Sequence, residues 1–123
     1  MTIITGSGNC GNSPKNRLAE ELTIALAQAD EAEIRARVTE EVAWRRVGGE
    51  TNKGADALLA AVEALGPARE LIIEQALSHG RAGAVNGTLR YASGEEAFCH
   101  VFQFNNAKGA RVAAITTYAI PRP

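Results

Sequence analysis

The chain reads as helix, helix, strand, helix and then four strands. That segregation predicts an α+β fold with helices packed on one face of a mostly antiparallel sheet. Three observations carry it. Apolar residues recur at helical spacing through the first third of the chain, the period drops to two around Trp44, and strand runs separated by turn residues fill the last third. At 123 residues the chain has the size of one domain.

Asn12-Ser13-Pro14 supplies a capping residue and a proline suited to a first helical turn. Leu18, Leu22, Ala25, Leu26 and Ala29 follow at helical spacing, so a helix is expected from about Ser13 to Ala29. Asp30 caps a second helix from Glu31 to about Val38, with Ile34 and Val38 on one face, and the two helices form a hairpin. Val42 to Val47 alternates as a short strand that Gly48-Gly49 ends. After a polar turn, Leu58, Leu59, Ala61, Val62 and Leu65 mark a third helix over Asp56 to Leu65, stopped by Gly66-Pro67.

Leu71, Ile73 and Leu77 alternate through the next run, which Gly80 closes, and Val85, Leu89 and Tyr91 alternate through another. Ser93-Gly94 turns into a strand with Phe98, Phe102 and Phe104 on one side. Asn105, Asn106 and Gly109 make a second turn, and Val112 to Ile120 is a last β-branched run before Pro121 and Pro123. Cys99 and Val101 oppose Phe98 and Phe102, so that strand is apolar on both faces and its outer face needs a cover. A homodimer through that face is the expectation.

Apolar residues make up 46% and charged residues 22%, which is the balance of a folded domain rather than a disordered one. Thirteen basic against 14 acidic side chains give a net charge of −1, so no overall field draws the chain to nucleic acid or an anionic membrane. Cys10 and Cys99 form no CxxC and no Cys/His cluster, so neither a metal nor a cofactor is expected. Met1 to Gly11 has no basic lead, and no run of 18 apolar residues occurs, which points to a cytoplasmic protein. Residues 1–11 are expected as a flexible tail and residues 12–123 as the domain. Gly6 and Gly11 have the spacing of a phosphate loop, but Asn12 stands where its lysine belongs and no strand-helix-strand alternation follows.

A helical hairpin, a strand ending in Trp44-Arg45-Arg46-Val47-Gly48-Gly49, a third helix and four strands resemble the nuclear transport factor 2-like superfamily. The segments VNGTLRYASGEEAFCHVFQFNNAKG and ITTYAI resemble its small bacterial members. The resemblance implies a cystatin-like cone, in which the curved sheet wraps around a long helix. It spans ketosteroid isomerase, SnoaL-like cyclases, limonene epoxide hydrolase, scytalone dehydratase and members that only bind or dimerise, so it does not by itself give the chemistry. Aligned on isomerase-like members, Leu22 takes the place of their oxyanion-hole tyrosine, Arg45 or Arg46 that of the carboxylate base and His100 that of the strand acid. An arginine cannot serve as that base. An epoxide hydrolase-like site needs an Asp-Arg-Asp set; Arg46 could supply the arginine, but no Asp follows Asp56.

The residues expected to line the cone are Trp44, Arg46, Tyr91, His100 and Phe102. His100, among aromatic rings, is expected to be neutral, and either faces a ligand or bonds to Tyr91 or the backbone. Arg46 either clamps a ligand beside Trp44 or pairs with Glu20 or Glu21. Tyr91 either offers its hydroxyl or packs as core with a wet tip, and His79 is expected in solvent. Two functions follow as expectations. One is binding of a small, mainly apolar molecule with an isomerase- or dehydratase-type acid–base step, His100 being the proton donor or acceptor. The other is a non-catalytic interaction module whose cone is filled by its own side chains.

Overall fold

The computed structural model describes residues 1–108 and 110–123, so Gly109 of the expected turn lies outside the described residues. In chain order the elements are β1 (Ile3–Thr5), α1 (Pro14–Gln28), α2 (Glu31–Arg37), β2 (Val38–Arg46), β3 (Thr51–Lys53), α3 (Ala55–Leu65), β4 (Glu70–His79), β5 (Ala82–Tyr91), β6 (Gly94–Phe104) and β7 (Val112–Arg122). The expected α+β architecture is present. Seven strands form one curved sheet in the order β1-β4-β5-β6-β7-β2-β3, antiparallel except where β1 meets β4 and β2 meets β7. α1 lies across β4 and β5, and α3 packs on β2 and β3.

The helices start where capping chemistry puts them. The Ser13 hydroxyl accepts the Asn16 N–H at 3.2 Å with Pro14 in the first turn, and Asp30 accepts the Glu33 N–H at 3.2 Å. Between sheet and helices, Leu22, Ile34, Leu58, Leu71, Phe102 and Phe104 are fully buried. No described helix is long and apolar enough to cross a membrane, and the described residues hold no cluster of metal-ligating side chains.

Four local expectations are corrected. Residues 1–11 are not simply a tail: Ile3–Thr5 pairs in parallel with Glu70–Ile72, the Thr2 hydroxyl donates to the Ala68 carbonyl at 2.6 Å, and Asn9 Oδ1 accepts the Ala76 N–H at 3.2 Å. A ten-residue β4 would otherwise leave its edge unpaired, and the β-branched Ile3-Ile4-Thr5 can cover it. The polar turn after Gly49 contains β3, which pairs back on Ala43–Arg45. β2 begins at Val38 rather than Val42, with a register irregularity that leaves Glu40 and Glu41 near its middle.

The fourth correction concerns phase. β4 carries a bulge between Ile73 and Gln75, so Glu74 is an extra residue and the alternation flips. Leu71, Ile73 and then Ala76 point inward, while Leu77 is 54% exposed on the outer face. Gly87 sits against this bulge: a Cβ there would lie 1.9 Å from the Ile72 carbonyl oxygen. The close approach therefore requires glycine.

Candidate functional site

Strand register assembles the site around Thr117. On β7, Thr117 lies directly opposite His100 of β6 and beside Arg46 of β2, and Trp44 is two residues back on the same face of β2. The Trp44 indole N–H donates to the Thr117 hydroxyl at 2.8 Å, and His100 Nδ1 stands 2.7 Å from the same oxygen. Counting protons assigns the tautomer. The indole can only donate, so the hydroxyl oxygen accepts from it; among the described residues the hydroxyl proton has no acceptor in reach but His100 Nδ1, which puts the ring proton on Nε2. No described protein group pairs with Nε2.

His100 is 4% exposed, its ring centroid 4.9 Å from Phe98 and 5.8 Å from Phe102. Burial, aided by the Arg46 charge, lowers its pKa from 6.5 to about 3. The imidazole is thus neutral at physiological pH and a very weak base, which leaves hydrogen-bond donation through Nε2–H as its chemistry. The expected bond to Tyr91 or a backbone group is replaced by the bond to Thr117.

The cavity that His100 faces is small, about 20 Å³, which is room for roughly one water. Thr23 and Leu26 of α1 close one side, and Trp44, Arg46, Tyr91, Glu96 and Phe98 close the other. Outside it lies an open groove of about 820 Å³ between the β2–β3 hairpin and α3, with Val47, Asn52, Ala57 and Ala61 on its walls. Trp44, Arg46 and Leu65 border both spaces and form the partition between them.

Arg46 lies 5.3 Å over the Trp44 ring and 4.0 Å from a Glu96 carboxylate oxygen. It pairs with neither expected helix carboxylate. Glu20 accepts from the Ser7 hydroxyl, and Glu21 lies 3.5 Å from Arg37. Tyr91 has its pKa raised, first by burial and then by the Glu96 charge, with Arg46 opposing. Its phenol is therefore a proton donor in hydrogen bonds rather than a phenolate.

Of the expected lining residues, Trp44, Arg46, Tyr91 and His100 come together at this cavity. Phe102 does not line it; at 1% exposure it packs deeper in the core beside His100. His79 is exposed at the end of β4, as expected. Two site residues escaped the sequence reading. Glu96 is in phase with Phe98 and His100, so period two is the signal that could have found it. Thr117 faces His100 through a pairing register that depends on turn length, which sequence leaves open.

The fold can be compared with solved structures once this geometry is set. A ketosteroid isomerase candidate from Kribbella flavida superposes with a TM-score of 0.75 at 17% identity, over 89% of this chain and 79% of that one. A limonene epoxide hydrolase-like enzyme from M. tuberculosis gives 0.71 at 18% identity, over 86% and 82%. An uncharacterised cystatin-like protein from Silicibacter pomeroyi gives 0.72 at 17% identity, over 90% and 77%. The fold is nuclear transport factor 2-like. At these identities the likeness shows the nuclear transport factor 2-like fold and nothing of its chemistry. No protein-family model matches the chain, and no curated protein does.

Proposed function

We propose that this chain binds a small, mainly apolar, neutral molecule bearing one oxygen function, with that oxygen at His100 Nε2–H and the hydrocarbon body in the groove along α3. The observation that carries this reading is an imidazole held by Thr117 through Nδ1 and lining the small cavity, with no described residue paired to its Nε2. A cavity of about 20 Å³ admits one oxygen but no ring, so the carbon skeleton must stay on the groove side of Arg46 and Leu65. The chemistry this arrangement supports is an isomerase- or dehydratase-type step in which His100 holds the developing oxyanion. Fold likeness to a ketosteroid isomerase candidate and an epoxide hydrolase-like enzyme is in keeping with it, as analogy.

The same narrow cavity favours a second reading, a filled cone whose role is association. We propose the outer sheet face as a homodimer surface in either case. Leu77, Val101, Tyr118 and Ile120 are exposed there, Cys99 lies between them, and the charges stand at the margin in a ladder of Glu70, Arg90, Glu95 and Arg122.

Trp44 is the only tryptophan and borders both spaces, so its emission tests the first reading. Saturable change with a bicyclic ketone such as decalone, no change with the parent hydrocarbon decalin, and loss of the response in His100→Ala are expected. Equal response to both compounds would remove the role of His100 in binding, and none to either would move the assignment to the filled cone.

A further inference from the structure

We infer that Glu96 sets the charge class of the ligand: by balancing Arg46 at the head of the groove, it makes the site take neutral molecules and turn away carboxylates. The inference rests on the ligand-binding reading above and names the residue that makes that ligand neutral. Among the described residues, Glu96 is the one carboxylate lining the small cavity, and Arg46 is the one cation lining the cavity or the groove. They come from strands that do not touch. Arg46 stands beside Thr117 of β7, whereas Glu96 of β6 lies opposite Pro121, four residues further along β7. The long Arg46 side chain spans that gap and ends 4.0 Å from a Glu96 oxygen, with the two side chains 32% and 19% exposed.

That separation exceeds hydrogen-bond length, so the two groups attract without using the donors of the guanidinium. The Arg46 side chain donates to no described residue. Glu95 shows the contrast: on the outer face it is engaged by Arg90 at 3.3 Å and Arg122 at 3.2 Å. A guanidinium with an open fork is the group that matches a carboxylate, and Arg46 holds it at the head of a groove walled by Val47, Ala57, Ala61 and Leu65. The other charge on that wall, Glu50, is exposed and screened by solvent. Arg46 alone would therefore make the groove a site for apolar acids. Glu96 opposes this, because a ligand carboxylate would have to share one guanidinium with a side chain only 19% exposed, where like charges are weakly screened.

Both charges act where the ligand head sits. Burial is the main cause of the low His100 pKa, and the Arg46 charge adds to it; burial likewise raises Tyr91, with Glu96 adding and Arg46 opposing. At Tyr91 the two fields thus have opposite signs and offset one another. A neutral oxygen brings no charge for Glu96 to repel and still meets His100 Nε2–H. The selection is made at the partition formed by Trp44, Arg46 and Leu65, so the carbon skeleton stays in the groove and nothing larger than one oxygen enters the small cavity. Glu96 is in this sense a specificity residue that works by exclusion: it adds no contact to the accepted ligand and places a like charge against the rejected one.

The test compares decalone with decalin carboxylate, one skeleton carrying a neutral or a charged head, by Trp44 emission near neutral pH in low salt. The wild-type chain should bind the ketone about tenfold tighter or more. Glu96→Gln keeps the shape and removes the charge, and should shift the ratio of the two dissociation constants toward the carboxylate by about tenfold or more, the scale of a relieved like-charge contact. Glu96→Asp keeps the charge and should keep the wild-type order. Adding Arg46→Gln to Glu96→Gln should remove the gain, and added salt should shrink it. Arg46→Gln alone leaves Glu96 unopposed and should weaken the carboxylate further, a second reading that does not depend on the Glu96→Gln protein. A Glu96→Gln ratio within about threefold of wild type, or a wild-type chain that takes the carboxylate as readily as the ketone, would overturn the role of Glu96 and leave the binding reading standing. Absence of any response to either compound would remove the binding reading, and the inference with it.

Discussion

Thr117 gives the account its most exposed joint, because one hydroxyl serves two buried groups. Thr117→Val keeps the shape of the side chain, opens no void and removes the oxygen that the Trp44 indole and His100 Nδ1 share. Trp44 is 2% exposed and His100 4%, so neither orphaned nitrogen reaches solvent. An unsatisfied buried partner costs about 1–3 kcal/mol, so two predict a loss of roughly 2–6 kcal/mol. At about 2.1 cal/mol/K per residue of unfolding entropy, a chain this size shifts Tm by about 4 °C per kcal/mol, giving a fall of roughly 8–24 °C. Thr117→Ser is the control: it keeps the hydroxyl and loses one methyl, worth about 1 kcal/mol. Urea unfolding followed by Trp44 emission separates the two variants. A Thr117→Val protein as stable as Thr117→Ser would refute the shared-hydroxyl network and the tautomer derived from it.

Further outcomes follow from other residues. The folded pKa of His100, about 3, lies below its unfolded value of 6.5, so the unfolded chain binds the proton first as pH falls. That group's contribution is intact above pH 6.5 and lost progressively down to about pH 3, amounting to about 3 kcal/mol at about pH 4.5. His100→Gln should lose less stability than wild type between about pH 7 and pH 4.5, checked by urea midpoints; equal losses would contradict a buried neutral imidazole. Gly87→Ala drives a methyl into the Ile72 carbonyl, and should cost about 3 kcal/mol or prevent folding, whereas Gly8→Ala, open on all sides, loses only what its positive φ demands. Thermal unfolding of the pair decides it. Val101→Lys on the outer face should yield monomers in sedimentation at concentrations where the wild type is dimeric; a monomeric wild type would remove the dimer proposal.

The fold was legible because its signals are local. Ser13-Pro14 and Asp30 mark helix starts by chemistry confined to four residues, and Phe98, His100, Phe102 and Phe104 announce an inner strand face by period alone. What stayed hidden depends on partners distant in the chain. Ile3–Thr5 is a strand only because the β4 edge awaits it, Leu77 turns outward because of a bulge that needs Gly87 on the next strand, and Thr117 meets His100 only through the β6–β7 register. Within the site, Trp44, Arg46, Tyr91 and His100 could be placed from alternation. Phe102 could not be separated from them, because sheet curvature decides which inward residues border space and which border core. Glu96 carried a legible signal, its phase with His100.

In the proposed reading His100 is neutral, protonated on Nε2, and turned toward a ligand oxygen. With only two histidines, of which His79 is exposed, nitrogen NMR of labelled imidazoles reads it directly. At neutral pH the buried ring should show an unprotonated Nδ1 and a protonated Nε2, and decalone should shift the Nε2 resonance while leaving His79 unmoved. A proton on Nδ1, a doubly protonated ring, or an Nε2 signal indifferent to the ketone would contradict the account.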